Sequence, residues 1–383
     1  PFMPYRCPEI FYSTSKLTGL FEKKNINNIL IVTDEGIRKF GLLDRMIMHF
    51  EHHNINYFIY DKTVANPTTT NVEEAKQLYI DNNCSAIIGF GGGSSIDCAK
   101  AVGARIAKPK QSLAKMKGIL KVHKKLPLLI AIPTTAGTGS ETTLAAVITD
   151  ANTRHKYAIN DFPLIPAYAV LDPKVTVSLP PSLTATTGMD ALTHAVEAYI
   201  GGSTTKSTRK NALRATKLIF ENIYKAYDNG TDIEARKNML KASFYAGCAF
   251  TKSYVGYVHA VAHSLGGRYN IPHGLANATL LPFVLEDYGS SVYKKLYELA
   301  VYSGIAAETD DYETAAHKFI DAIKDMKKYF NIGDTFSEIR KEDIPELSKY
   351  ADKEANPLYP VPVLMNAEEL EKFYYMLMEK ETA

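Results

Sequence analysis

Asp190 and His194 stand four residues apart in a stretch with helical spacing, so both side chains leave one face of a helix. His259 and His263 repeat that interval further along the chain, and His273 follows in a Pro-His-Gly turn. A carboxylate with several imidazoles suits a divalent transition metal such as Fe²⁺ or Zn²⁺. An imidazole left off the metal titrates near neutrality and can carry a proton. A lone buried histidine is usually a satisfied core residue, but two such pairs and a turn make a metal site the stronger reading. Spacing alone leaves open which imidazoles would bind the ion and which would move protons. The remaining histidines, His49, His52, His53, His123, His155 and His317, lie among charged or loop residues and are expected at the surface.

Two further segments have the chemistry to hold a phosphate. Gly89-Phe90-Gly91-Gly92-Gly93-Ser94-Ser95-Ile96-Asp97 follows an apolar run and leads into a helical pattern. Glycines at such a turn let the backbone approach an anion, and the helix N-terminus offers N–H groups and a partial positive charge. The spacing is not the GxGxxG fingerprint, and a plain tight turn with Ser94 as the helix cap is the competing reading. Pro133-Thr134-Thr135-Ala136-Gly137-Thr138-Gly139-Ser140-Glu141 follows the next long apolar run and supplies neutral donors on a flexible backbone. Two such loops at consecutive strand ends point to a nucleotide. Asp34 ends an earlier run, where a carboxylate can accept from ribose hydroxyls and repel a 2′-phosphate, favouring NAD over NADP. Its bland alternative is to cap the following helix.

The elements that must position these groups differ between the two halves. Up to about residue 180, short β-branched runs at 29–33, 57–60, 86–90, 128–132, 147–149 and 169–171 alternate with helical patterns, as in βαβ units around a parallel sheet. A helix over 72–80 is expected to open with a capping box from Thr70 to Glu73. Pro180 and Pro181 then break the pattern, placing a boundary between a 1–180 α/β domain and an all-helical 181–383 domain. Helices are expected at 183–199, 206–227, 233–250, 293–302, 312–329 and 367–378.

A chain of 383 residues is long enough for two domains with separate cores. Its 46% apolar and 22% charged content excludes pervasive disorder. Lys plus Arg, 44, nearly cancels Asp plus Glu, 42, so no general nucleic-acid or anionic-membrane surface is expected. The lysines between 115 and 125 are expected on a solvated loop or helix face. Four scattered cysteines without a CxxC pair fit a reducing cytoplasm. The longest apolar stretches, such as 126–133, fall far short of a membrane span, and no signal-like start is evident. A soluble, cytoplasmic protein is expected.

Taken together these segments resemble the iron-containing, group III alcohol dehydrogenases. The carrying motifs are GGGSSIDCAK (91–100), PTTAGTGSE (133–141), DPKVTVSLP (172–180), TGMDALTHAVEAY (187–199) and GYVHAVAHSLGGRYNIPHGLANATLLP (256–282). The resemblance implies a Rossmann-like α/β nucleotide-binding domain followed by an all-α domain, a dehydroquinate synthase-like architecture, with NAD(P) and a divalent metal in a cleft. It assigns the metal to Asp190, His194, His259 and His273, leaving His263 close to the reacting carbonyl. It assigns the cofactor to Asp34, Asn66, Gly92, Gly93, Ser94, Thr134, Thr135, Thr138, Thr143 and Lys156.

The implied reaction is reversible hydride transfer between the nicotinamide and a small primary alcohol, diol or aldehyde. NAD is expected over NADP and Fe²⁺ over Zn²⁺, in a homodimer or larger homo-oligomer with no nucleic-acid or membrane partner. Lys252 stands where family members commonly carry a small or amide residue, next to the candidate pocket residues Phe250 and Tyr254. Three alternatives stay open: a dehydroquinate synthase-like use of NAD, zinc-dependent glycerol oxidation, and a nucleotide-binding regulator with a structural metal. The first would need a clustered arginine site that the chain lacks, and the last has no use for the extra imidazole of His263.

Overall fold

The computed structural model describes residues 5–379. The chain divides into two compact units, Pro1–Leu179 and Pro180–Ala383.

Among the described residues the first unit has nine strands: β1 (Glu9–Phe11), β2 (Asn28–Val32), β3 (Asn56–Tyr60), β4 (Ala86–Gly91), β5 (Gly118–Ile119), β6 (Leu128–Pro133), β7 (Ala145–Thr149), β8 (Lys156–Asn160) and β9 (Tyr168–Val170). Six of them form a parallel sheet in the order β1-β9-β6-β4-β2-β3. The apolar runs of β2, β4 and β6 belong at its centre, because helices on both faces leave no side for polar residues. Leu30, Val32, Ile87 and Leu129 pack with Val72 and Val102 in one core, while Ile29, Ile31, Ile88 and Ile130 pack with Phe21 and Phe50 in the other. From β2 the chain moves to β3 on one side, then returns through β4 to β6 on the other. The β2/β4 junction is therefore the switch point, and the C-terminal strand ends beside it form the crevice where open α/β sheets bind ligands.

The structure corrects three local expectations here. Segment 147–149 does not join the parallel sheet, since β7 pairs antiparallel with β8 from Ala145 opposite Asn160 to Thr149 opposite Lys156, and β5 joins β8. The intervening 150–155 turn is too short for the crossover that parallel pairing requires. The helix Thr69–Asp81 starts from Thr68 rather than Thr70, with a reciprocal capping box between Thr68 and Asn71. Glu73 instead pairs with Arg105 and Lys76. Finally, Gly92 rather than Ser94 occupies the N-cap of the helix Gly93–Ala107. The lysines between 115 and 125 are exposed, as are all of the six outlying histidines except the half-buried His49.

The second unit is helical, with one isolated bridge between Phe336 and Met378 as its only extended pairing among the described residues. Its first helix, Pro181–Ile200, begins two residues earlier than the apolar spacing suggests, because proline at the first helical position gives up only an N–H that has no partner there. Residues 188–200 are buried on every face of that helix. The helices Lys206–Asp228, Ile233–Ser253 and His273–Tyr288 pack around it. Helices Tyr257–Tyr269 and Ile344–Ala355 complete the surroundings of the histidines. No helix among the described residues is long and apolar enough to cross a membrane.

Candidate functional site

In the second unit, Asp190 and His194 leave the buried helix Pro181–Ile200 on one face. His259 sits in the first turn of Tyr257–Tyr269, and His273 opens His273–Tyr288. Their donor atoms all lie within 4.8 Å of one another. Asp190 Oδ1 is 3.3 Å from His273 Nε2 and 3.8 Å from His259 Nε2. The His194 ring stacks on His259 at 4.3 Å and on Phe250 at 4.2 Å, so Phe250 packs against the cluster.

The charge states suit a cation. Burial, reinforced by the neighbouring imidazoles, holds the pKa of His259 well below its ordinary value, which leaves the ring neutral with a lone pair to donate. Burial pushes the Asp190 carboxyl up, but the charges of His194 and His273 and the hydrogen bonds from His273 and Asn277 outweigh it and hold the group far below the usual carboxylate range. Asn277 Nδ2 donates to Asp190 Oδ1 at 2.7 Å. His259 Nε2 is buried without a hydrogen-bond partner, an expensive condition that a bound metal ion would relieve. The donor set and this orphaned nitrogen fit a divalent transition metal.

His263 lies one turn beyond His259 and is not among the four clustered donors. Its ring stacks on His273 at 5.0 Å, with 43% of its side chain exposed. Its Nδ1 lies 2.6 Å from Glu354 Oε1, which also accepts from the Tyr359 hydroxyl at 2.7 Å. Burial pushes the Glu354 carboxyl up, yet His263 and its hydrogen bonds bring it below the ordinary value. Tyr254 and Lys252 are exposed beside Phe250.

In the first unit, Asp34, the 92–94 turn, the threonine loop and Asn66 all follow the C-terminal ends of strands of the parallel sheet. Gly91 has φ +149°, and a Cβ there would stand 2.5 Å from Ser95 Oγ, so only glycine makes this strand-to-helix turn. Gly92 and Gly93 face the second loop: added Cβ atoms would lie 3.8 Å from Thr135 Oγ1 and 3.2 Å from Thr138 Cγ2. Thr134 is buried, and its N–H donates to Gly91 O at 3.0 Å. Asp34 does cap the helix Glu35–Lys39, with Oδ1 accepting from Ile37 N at 3.0 Å. Its Oδ2 accepts from Ser95 Oγ at 3.3 Å, which ties it to the glycine turn as well. Lys156 Nζ donates to Asn66 Oδ1 at 2.7 Å, pairing two residues that are distant in sequence.

Several supporting residues escaped the sequence reading. Lys100, fully buried, donates from Nζ to Thr143 Oγ1 (2.8 Å), Thr143 O (2.9 Å), Ala145 O (2.9 Å) and Ser140 Oγ (3.3 Å). The Thr143 hydroxyl is thus engaged inside the loop. Asp97 accepts from Ser140 Oγ at 2.7 Å and Val147 N at 3.0 Å. Burial lowers Lys100 to about 8 and raises Glu141 to about 7. In the second unit Glu197 Oε2 lies 2.5 Å from His259 Nδ1, and burial raises this carboxyl to about 7. One signal for Glu197 was available, its position three residues after His194 on the same helix face.

The two halves of the chain match two family models in order. Residues 10–173 match the iron-containing alcohol dehydrogenase model, and residues 184–378 match the C-terminal model of the Fe-containing alcohol dehydrogenase family. Alcohol dehydrogenase 4 of Schizosaccharomyces pombe is 40% identical over 340 residues, which cover 87% of this chain and 79% of the relative. 1,3-Propanediol dehydrogenase of Citrobacter freundii is 37% identical, covering 85% of each chain. The crystal structure of a 1,3-propanediol oxidoreductase superposes with a TM-score of 0.92 at 33% identity, over 98% of this chain and 99% of the other. Agreement in fold and in sequence along nearly the whole length makes the protein an alcohol oxidoreductase of the iron-containing alcohol dehydrogenase family.

Proposed function

We propose that this oxidoreductase transfers hydride reversibly between NAD and a small primary alcohol, diol or aldehyde, with Fe²⁺ as the metal and Zn²⁺ able to replace it. The observation that carries the reading is the cluster of Asp190, His194, His259 and His273 with its orphaned His259 Nε2. These four residues would hold the ion. When bound, the metal supplies Lewis acidity toward the substrate oxygen and the nicotinamide supplies or takes the hydride.

The protein's own groups do the rest. His263, with Nδ1 engaged by Glu354, has Nε2 left to carry the proton of the alcohol. Phe250, stacked on His194, keeps water from one side of the cluster. The backbone N–H groups of the first turn after Gly92 receive a phosphate, with Gly93, Ser94, Thr134, Thr135 and Thr138 as the surrounding contacts. Thr143 holds the loop through Lys100, and Asn66 and Lys156 form the outer edge of the cofactor site. Asp34 accepts from ribose and repels a 2′-phosphate, which makes NAD the preferred cofactor. Homo-oligomeric assembly and a cytoplasmic location complete the proposal, on the strength of the family likeness.

The test is a panel of short alcohols, diols and aldehydes with NAD and NADP, on protein stripped of metal and reloaded with Fe²⁺ or Zn²⁺. Activity should vanish on chelation, with the helical circular-dichroism signal retained, and return on reloading. Full activity in metal-free protein would overturn the metal-dependent reading, and equal kcat/KM with NADP would overturn the cofactor preference.

A further inference from the structure

We infer that Glu197 is a positioning residue for the metal centre: its carboxylate grips the His259 imidazole by Nδ1, so that Nε2 is the nitrogen turned toward Asp190. The inference rests on the metal-dependent reading above and adds to it a residue outside the donor set.

Glu197 follows Asp190 by seven residues and His194 by three on the same helix, so one helix face carries two donors and the group that orients a third. The Glu197 and His259 side chains are each only 2% exposed, which leaves no water to take over the contact. Both carboxylate oxygens are committed to the start of the helix Tyr257–Tyr269. Oε2 meets His259 Nδ1 at 2.5 Å, and Oε1 accepts from Val258 N at 2.8 Å. The grip therefore fixes the backbone that carries the ring as well as the ring itself. A flipped ring would lose the Glu197 contact and put Cδ2 and Cε1 where Nδ1 and Nε2 now stand, leaving a carbon rather than a nitrogen facing Asp190.

Gly256 makes room for this. A Cβ there would stand 2.7 Å from Glu197 Oε1 and 3.2 Å from Cδ, while the backbone, at φ −137°, is extended and not in the left-handed region that favours glycine. The position requires glycine for space alone. An apolar side chain of similar volume would fill the site without the cost of burying a carboxylate, so packing does not account for Glu197. A carboxylate on the far nitrogen of a metal-binding histidine fixes tautomer and ring orientation and raises ligand basicity; losing it typically costs about 10–100-fold in metal affinity.

The test titrates Co²⁺ into metal-stripped full-length parent, Glu197→Gln and Gly256→Ala, reading the visible d–d absorption and the affinity against a competing chelator. Nucleotide binding and the metal-free unfolding midpoint are followed alongside. Glu197→Gln should bind Co²⁺ about 10–100-fold more weakly with a shifted d–d band and unchanged nucleotide binding. Gly256→Ala, which keeps the charge but displaces the carboxylate, should weaken Co²⁺ in the same direction and carries the test if Glu197→Gln does not fold. Parent-like affinity and spectrum in the folded variants overturn the inference, as does a lowered metal-free midpoint with unchanged Co²⁺ affinity. A parent that binds no Co²⁺ overturns the metal reading itself, a result separable from any difference between parent and variants.

Discussion

On the proposed function, the two units hold their ligands in opposite ways. In the helical unit the chemistry is concentrated in four side chains on three helices, set in a buried surround with their partners Glu197 and Asn277. In the α/β unit the proposed contacts are spread over turns at strand ends, among backbone N–H groups and neutral hydroxyls, and buried side chains such as Lys100 only support the loop. A concentrated site should fail when one member is removed. A distributed one should lose a fraction.

The sharpest break of this comparison is His194→Ala, which removes one of the four donors. It should cost several kcal/mol of transition-state stabilisation, roughly a thousandfold or more in kcat/KM, with metal content by mass spectrometry falling in parallel. Residual activity near that of the parent would mean that the centre is less concentrated than its geometry. Next in size, His263→Ala should lower kcat by about a hundredfold while metal content stays near the parent's, as loss of a proton-transfer group does. Should His263→Ala lose the metal while His273→Ala keeps it, the roles of the two residues are reversed.

In the α/β unit the expected effects are smaller. Asp34→Gly should shift the NAD-to-NADP ratio of kcat/KM toward NADP by about tenfold or more, since a like-charge contact in a partly dry site costs about 1–3 kcal/mol. Glycine is tolerated at helix N-caps, so stability should fall by only a few tenths of a kcal/mol. An unchanged ratio would remove Asp34 from the cofactor site. The smallest effect concerns pH. Burial raises Glu141 from 4.5 to about 7, so its contribution to stability is present below its unfolded pKa and lost as pH rises through about 7. Unfolding midpoints of the parent should therefore fall between pH 5 and 8, and Glu141→Gln should flatten part of that slope. Glu197, raised to about 7 by the same cause, and Asp97, also raised by burial, keep part of the slope, while the depressed His259 opposes it up to about pH 6.5. An identical slope in the variant would show that Glu141 ionises freely in the folded chain.

Legibility followed the same division. Helices Tyr293–Tyr302 and Tyr312–Tyr329 have the bounds that apolar spacing predicts; the second is marked by Asp311, whose side chain accepts from Thr314 N. The donor residues could be read because paired histidines and an aspartate at helical intervals are rare by chance. Strand β1 could not, since three residues carry no periodicity, and β8 opens on an exposed lysine that disguises its alternation. Pairing of β7 with β8 is a tertiary outcome of a short turn that apolar runs do not encode. Glu197 and Lys100 were missed for one reason. Each is a charged residue in a helical stretch, where the usual environment is solvent, and only the packing of other segments around them buries the charge.

The buried Lys100 has a consequence in the entropy of ligand capture. Eleven residues, 134–144, separate β6 from β7, and Lys100 holds the later part of this loop through two hydroxyls and the Thr143 carbonyl, with Ala145 O at the start of β7 as its fourth acceptor. Ordering a backbone costs about 1–2 kcal/mol per residue, so a loop of this length that froze only around its ligand would forfeit roughly 11–22 kcal/mol. Micromolar affinity is worth only about 8 kcal/mol. Capture of a nucleotide at that strength is possible only if the loop loses its freedom when the chain folds, and a lysine with no access to water is among the groups that make it do so.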